Sequence, residues 1–236
     1  MTNLHIHQIS KLYSKRRALH NIEIQLGAGV IALLGSNGAG KSTLLRIIST
    51  QMMPTSGHYT LNNLNSLTDL HDLRRQIGML GHQSYLYPDL TLRENLMLFA
   101  QLYDIPDPCS RIDELANQFY IVERLHQPVV HLSHGLLKRA ALIRAIMHNP
   151  TLLLLDEPFS GLDHESTQLL LDLIKQWRTS TRILILTTHN FQHASSCADQ
   201  FVILHRGRII SHLTEQMSDQ AIQQQYLTLI KSKSVL

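Results

Sequence analysis

The stretch that decides the fold is "GSNGAGKST", residues 35–43. It follows the apolar run "VIALL", which ends at Leu34, and precedes Leu44, Leu45, Ile47 and Ile48 at helical spacing. A strand, a glycine-rich loop and a helix in that order turn the pattern GxxxxGK[ST] into a mechanism. Gly35, Gly38 and Gly40 let backbone amides approach phosphate oxygens with no side chain in the way. The helix opening near Lys41 adds free N–H groups and a dipole of roughly +0.5 charge. Lys41 then reaches a β- or γ-phosphate, and Ser42 is suited to hold Mg²⁺. The alternative is a glycine-rich turn with an incidental lysine, and the flanking strand and helix speak against it.

A second stretch, "TLLLLDEP" at residues 151–158, supplies the other half of a nucleoside triphosphate site. A buried strand delivers Asp156 at its end, where a carboxylate can bind Mg²⁺, and Glu157 follows as a candidate general base for an attacking water. Taken alone, Asp-Glu-Pro after a strand is also an acidic turn.

Composition excludes several classes. With 236 residues, the chain makes one large α/β domain or a core with an attached lobe. An apolar share of 44% is enough for a sizeable core. A formal net charge of +3 with scattered bases predicts no nucleic-acid surface, and the cluster Lys15-Arg16-Arg17 reads as a solvated turn. Two cysteines, Cys109 and Cys197, lie far apart and fit free thiols in a reducing compartment. The N-terminus has no apolar signal core, and no window approaches the ~18 apolar residues of a spanning helix. A soluble, cytoplasmic chain is expected, with a membrane partner left open. The 15 histidines are dispersed; His189 and His193 share a helical spacing but have no third ligand nearby in sequence.

Along the chain, "NLHIHQI" and "NIEIQL" alternate as strands before Gly27 and Gly29. "SGHYTLNNLNSL" predicts a short strand and a turn at Asn62-Asn63. From Ser84 the character changes to amphipathic helices, "LRENLMLFAQLYDI", "RIDELANQFYI" and "GLLKRAALIRAIM", broken at Pro88, Pro106, Pro108 and Pro128. Strands return in "TLLLLD" and "TRILILTT" around a helical "HESTQLLLDLIKQW". "QFVILHRGRII" predicts a hairpin at Arg206-Gly207. In the tail, Ile222, Tyr226, Leu229 and Ile230 form a stripe expected to pack on the body.

Taken together these motifs resemble the nucleotide-binding domain of ATP-binding-cassette (ABC) transporters, over essentially the whole chain. "GSNGAGKST" looks like the Walker A loop and "LLLLDEP" like the Walker B strand. Gln83 in "LGHQSYLYPDLT" sits at the Q-loop glutamine, Asp163 in "SGLD" at the D-loop, and His189 at the switch histidine. Tyr13 falls where an aromatic stacks on adenine. The resemblance implies a P-loop NTPase core, an α/β fold whose mixed, mainly parallel sheet carries an N-terminal antiparallel β part and a helical subdomain insert. It implies a catalytic core over 1–83 and 151–210, a helical signature subdomain over 84–150 and a helical tail over 211–236. ATP would be bound by Tyr13, by Gly35, Ser36, Asn37, Gly38, Ala39, Gly40, Lys41, Ser42 and Thr43, and by Gln83. Mg²⁺ would fall to Ser42, Gln83 and Asp156, and catalysis to Glu157 and His189.

The signature departs from the family's pattern. Where the family favours LSGGQ, residues 132–136 read "LSHGL". Ser133 and Gly135 survive, and Ser133 is placed to cap the next helix and meet an anion, which the resemblance implies is the ATP of an opposite subunit. His134 replaces a glycine, so its ring must turn from that phosphate or join in binding it; an open subunit would leave it solvated. The resemblance implies a second nucleotide-binding subunit, head to tail, and separate polytopic membrane permease subunits at the inner face of the cell membrane. "LGHQSYLYPDLTLRENL" looks most like the cytochrome-c-maturation haem-exporter ATPases and the drug- and antibiotic-export ATPases. A soluble one-cassette ATPase of cofactor assembly is the alternative.

Overall fold

Residues 2–14 and 16–233 are described by a computed structural model; Lys15 of the basic cluster and the end of the tail lie outside them. The chain opens with β1 (Asn3–Tyr13), β2 (Arg16–Gly27) and β3 (Gly29–Leu34), and α1 (Lys41–Ile48) follows the glycine-rich loop. Next come β4 (Ser56–Leu61), β5 (Leu64–Asn65), α2 (Leu70–Gln76) and β6 (Ile77–Leu80). Three helices follow, α3 (Leu92–Leu102), α4 (Pro108–Gln118) and α5 (His134–Ile146). The remainder is β7 (Leu152–Leu155), α6 (His164–Trp177), β8 (Ile183–Thr188), α7 (Phe191–Cys197), β9 (Gln200–His205), β10 (Arg208–Leu213) and α8 (Asp219–Lys233).

The strands form two sheets. One is antiparallel in the order β2-β1-β4-β5. The other has the order β10-β9-β3-β8-β7-β6 and is parallel except for β10. The strands β3, β7 and β8 are buried at every position, which is why they read as unbroken apolar runs rather than alternating ones. One face of this sheet, through Ile31, Leu33, Leu154 and Ile185, packs on α1 and the antiparallel sheet. The other, through Ala32, Leu153, Leu155 and Leu186, packs on α3 to α6. The fold is therefore layered, a mixed α/β core with a helical lobe.

Several local details differ from the sequence reading. Pro108 does not break a helix but opens α4 at its first position, where the missing N–H costs nothing and Asp107 caps Ser110 N. The short α2, β6 and α7 were not anticipated, and β10 carries strand into the tail as far as Leu213. The hairpin falls where expected, with Arg206 and Gly207 at φ 46° and 76°, the two left-handed angles that a two-residue turn of that hand requires. Of the asparagine pair, Asn62 takes the left-handed angle, φ 56°. In the tail Ile222 is fully buried, and the Tyr226 ring lies 5.4 Å from that of Phe191.

One partly buried group couples this packing to pH. His148, just past α5, stacks on Tyr103 at 3.9 Å, and its Nε2 lies 3.2 Å from Ile77 O. Burial pushes its imidazole down to about 4 from the ordinary 6.5. Between those values the unfolded histidine takes a proton that the folded one refuses, so the stability present above pH 6.5 is lost as pH falls toward 4. The expected loss is about 3 kcal/mol by pH 4. Urea unfolding across this window should show it, and His148→Phe should flatten the slope. An identical slope in the variant would assign the effect to another group.

Candidate active site

The parallel strands β3, β6, β7 and β8 end at one edge, and each delivers a part of the site there. The glycine-rich loop leaves β3, Asp156 follows β7, His189 follows β8, and His82 lies just beyond β6. A cleft of about 450 Å³ runs along this edge, lined by Tyr13, Arg16, Asn37, Gly38, Gly40, Lys41, Ser42, Thr43, His82 and Glu157, among others.

The glycines of the loop divide their work. A methyl on Gly35 would fall 2.4 Å from Leu204 O, and one on Gly40, which sits at φ 109°, would fall 2.7 Å from Leu19 Cδ2 and 2.8 Å from Ala18 O. These two let the loop press onto β9 and β2, so that α1 begins with its N–H groups toward the cleft. Ser36 and Asn37 are exposed, Ala39 is buried, and Gly38 is at φ 77°. Lys41 is buried, with Nζ donating to Gly35 O at 2.7 Å and Ser36 O at 3.3 Å. Burial lowers its pKa, and the carboxylates of Glu157 and Asp156 push the other way.

Asp156 is held from three sides. Thr187 Oγ1 donates to its Oδ1 at 2.7 Å, Ser42 Oγ donates to the same oxygen at 3.2 Å, and His82 Nε2 lies 3.6 Å from Oδ2. Ser42 and Asp156 thus present hard oxygens side by side, the donor type that Mg²⁺ takes. Thr187 Oγ1 also accepts from Glu157 N at 2.8 Å, so one buried hydroxyl ties both acidic residues to β8. Glu157 sits at φ 47°, a left-handed angle that a side chain rarely adopts and that recurs at functional turns. His189 Nδ1 lies 3.2 Å from Glu157 Oε2, with the ring largely exposed.

Other residues singled out by sequence fall differently. Gln83 is exposed and lines neither this cleft nor the smaller cavity behind it, whereas His82 lines both. Asp163 caps α6, its Oδ1 accepting from Ser166 N at 2.7 Å, and that hydrogen bond holds the carboxyl below its usual range. Ser133 caps α5, accepting from Leu136 N at 3.4 Å, and is exposed outside the cleft. Gly135 opens α5 beside it. His134 is exposed yet not simply solvated, because its ring covers Gly161. Tyr13, exposed by 42%, lines the cleft with its hydroxyl donating to Met52 Sδ at 2.9 Å. Sequence reasoning passed over His82 and Thr187, although "GHQ" and "LTTH" place each one or two residues from a residue it did single out.

Comparisons with known proteins bear on the fold and the family. Residues 19–160 match the family model described as "ABC transporter". The ABC-type transporter ATP-binding protein EcsA of Bacillus subtilis (strain 168) is 31% identical, covering 98% of each chain. The daunorubicin resistance ATP-binding protein DrrA3 of Streptomyces coeruleorubidus is 30% identical over 86% of this chain and 66% of its own. A solved structure described as the ATP-binding subunit of an ABC transporter superposes with a TM-score of 0.87 at 28% identity, over 96% of this chain and 99% of that one. The fold is thus that of a known class, and the chain belongs to the ABC transporter family as an ATP-binding subunit that hydrolyses ATP.

Proposed function

We propose that this subunit hydrolyses Mg²⁺-ATP at a head-to-tail dimer interface and so drives transport, of export type, through separate membrane subunits. The observation that carries the dimer is the position of Ser133. It caps the 13-residue α5 from an exposed position, but it lies outside the cleft of its own chain. An exposed, capped helix start outside its own cleft is the kind of anion site that a second copy's ATP would fit.

In this reading the loop residues 35–43 cradle the phosphates, Tyr13 stacks on adenine, and Asp163 with the signature residues Ser133, His134 and Gly135 meets the partner. Mg²⁺ would be held by Ser42 and Asp156, where it neutralises phosphate charge. Gln83 joins them only when the loop after β6 turns its carboxamide inward. Glu157 takes the proton of the attacking water, and His189, already against its carboxylate, orients that side chain and faces the terminal phosphate. Residues 84–150 form the signature subdomain between the core segments 1–83 and 151–210, with 211–236 as tail.

Coupling to the membrane falls to the loop after Gln83. Leu86 is buried, while Tyr87 and Leu90 are exposed, and the fully buried Asn95 holds their backbone. Its Oδ1 accepts from Tyr87 N at 2.7 Å, and its Nδ2 donates to Tyr87 O at 3.0 Å. A rigid loop with outward aromatic and apolar side chains suits a cytoplasmic helix of a permease. Tyr85 is less free, with its ring 5.4 Å from the Arg144 guanidinium. The haem-exporter type is the favoured assignment from the "LGHQSYLYP" segment, and the likeness to a drug-resistance ATPase supports export more broadly. A photocrosslinker at position 87 in native membranes should capture a polytopic protein whose sequence names the transporter class. Capture of soluble assembly proteins alone would favour the cofactor-assembly reading.

A further inference from the structure

The face of α5 that follows the signature is turned toward the chain's own catalytic turn. Lys138 stands one helical turn beyond His134, and both line a cavity of about 140 Å³ behind Asp156 and Glu157. Lys138 Nζ donates to Ser160 O at 2.6 Å and to Glu157 O at 3.1 Å. Glu157 O also accepts from Ser160 N at 3.2 Å, so the ammonium closes a turn that the backbone alone holds weakly. Above it the His134 ring covers Gly161, where a methyl group would fall 2.8 Å from Cε1.

This clamp grips the strained residue. Glu157 lies at φ 47°, an angle that a residue with a side chain keeps only where surrounding contacts impose it, whereas Gly161 takes its φ of 71° freely. A lysine suits the task because its point charge can serve two carbonyls at once. Burial lowers Lys138 to about 8, so its ammonium is held there against desolvation by those carbonyls and by the nearby Glu157.

We propose that Lys138, with His134 packed above it, is a positioning residue that fixes the Glu157–Gly161 turn and so aims the Glu157 carboxylate in its own subunit. One helix then serves two sites, since its first residues face the partner's ATP while its next turn sets the base of its own. The inference rests on Glu157 being the general base, and its test separates the two claims. Lys138→Met keeps the length and apolar stem but removes the donors. In the intact protein it should lower kcat roughly 10- to 100-fold, as a slightly misaimed catalytic group does. The KM for ATP and the affinity measured by calorimetry should not change, because Lys138 does not line the nucleotide cleft. Lys138→Arg, which restores donors, should recover most of kcat. If the methionine variant does not fold, Lys138→Leu, which also lacks donors, carries the test, with the same loss of kcat at unchanged affinity. Wild-type kcat in the folded Met or Leu variant would overturn the proposal. So would a loss confined to KM, or an Arg variant as slow as Met with an equally lowered melting temperature. Glu157→Gln is assayed in parallel: full turnover there overturns the base assignment itself, whereas a dead Glu157→Gln beside a normal Lys138→Met overturns only the clamp.

Discussion

Glu157→Gln is expected to bind ATP as the parent does and to turn it over about 10²-fold more slowly, or worse. The substitution replaces one carboxylate oxygen by an amide and leaves the shape unchanged, so the contact with His189 Nδ1 can be kept. What disappears is the carboxylate that lines the cleft at the end of β7, where the neighbouring Asp156 already accepts from Thr187 and Ser42. The backbone of Glu157 stays fixed through its N–H to Thr187 Oγ1, so a loss of rate would report proton transfer rather than a collapsed turn. Phosphate release under single-turnover conditions, with ATP binding followed by calorimetry, separates the two quantities. Near-normal hydrolysis would remove Glu157 from the role.

Lys41→Ala should act on binding instead. Its Nζ lies inside the loop, 2.7 Å from Gly35 O, and is the buried cation of the cleft's phosphate end. A charge-assisted hydrogen bond of this kind is worth about 1.5–3 kcal/mol, which is roughly a 10- to 150-fold loss of ATP affinity. Calorimetric titration reads this directly, and unchanged affinity would show that the loop amides alone hold the phosphates.

The legible parts of the fold were those with strong local physics. Buried parallel strands leave unbroken apolar runs, and "VIALL", "LLLL" and "ILILTT" announced β3, β7 and β8. The loop and the acidic pair were legible because phosphate chemistry fixes both residue type and spacing. The pieces that escaped were short or set by tertiary contact. β6 has four residues and follows α2 with no turn residue between them, since Ile77 is both the end of the helix and the start of the strand. Within the site, His82 rather than Gln83 stands against Asp156, in a bend beyond the end of β6, and no pattern in one sequence states which of two neighbours in such a bend points inward. Thr187 was hidden for a different reason, since a hydroxyl inside an apolar strand signals nothing until its partners are known. The cis contacts of Lys138 join residues 19 and 22 positions apart, beyond any local spacing rule.

Helix α5 is anchored at its far end as well. Arg144, buried, donates from Nη2 to Met79 O at 2.6 Å and from Nε to Ser84 O at 3.0 Å, and so is fastened to the segment that flanks Gln83. At 1.5 Å of rise per residue, the distance from Arg144 to Ser133 is about 16 Å, long enough for the helix to behave as a stiff rod. A push on the Tyr87 loop would then arrive at Arg144 as torque. A tilt of about 5° about that anchor would displace Ser133 by roughly 1.4 Å, comparable with the difference between a made and a broken hydrogen bond. Lys138 lies between pivot and tip and would travel about half as far, so the two ends of one lever would release a partner's nucleotide and retune the home site in the same stroke.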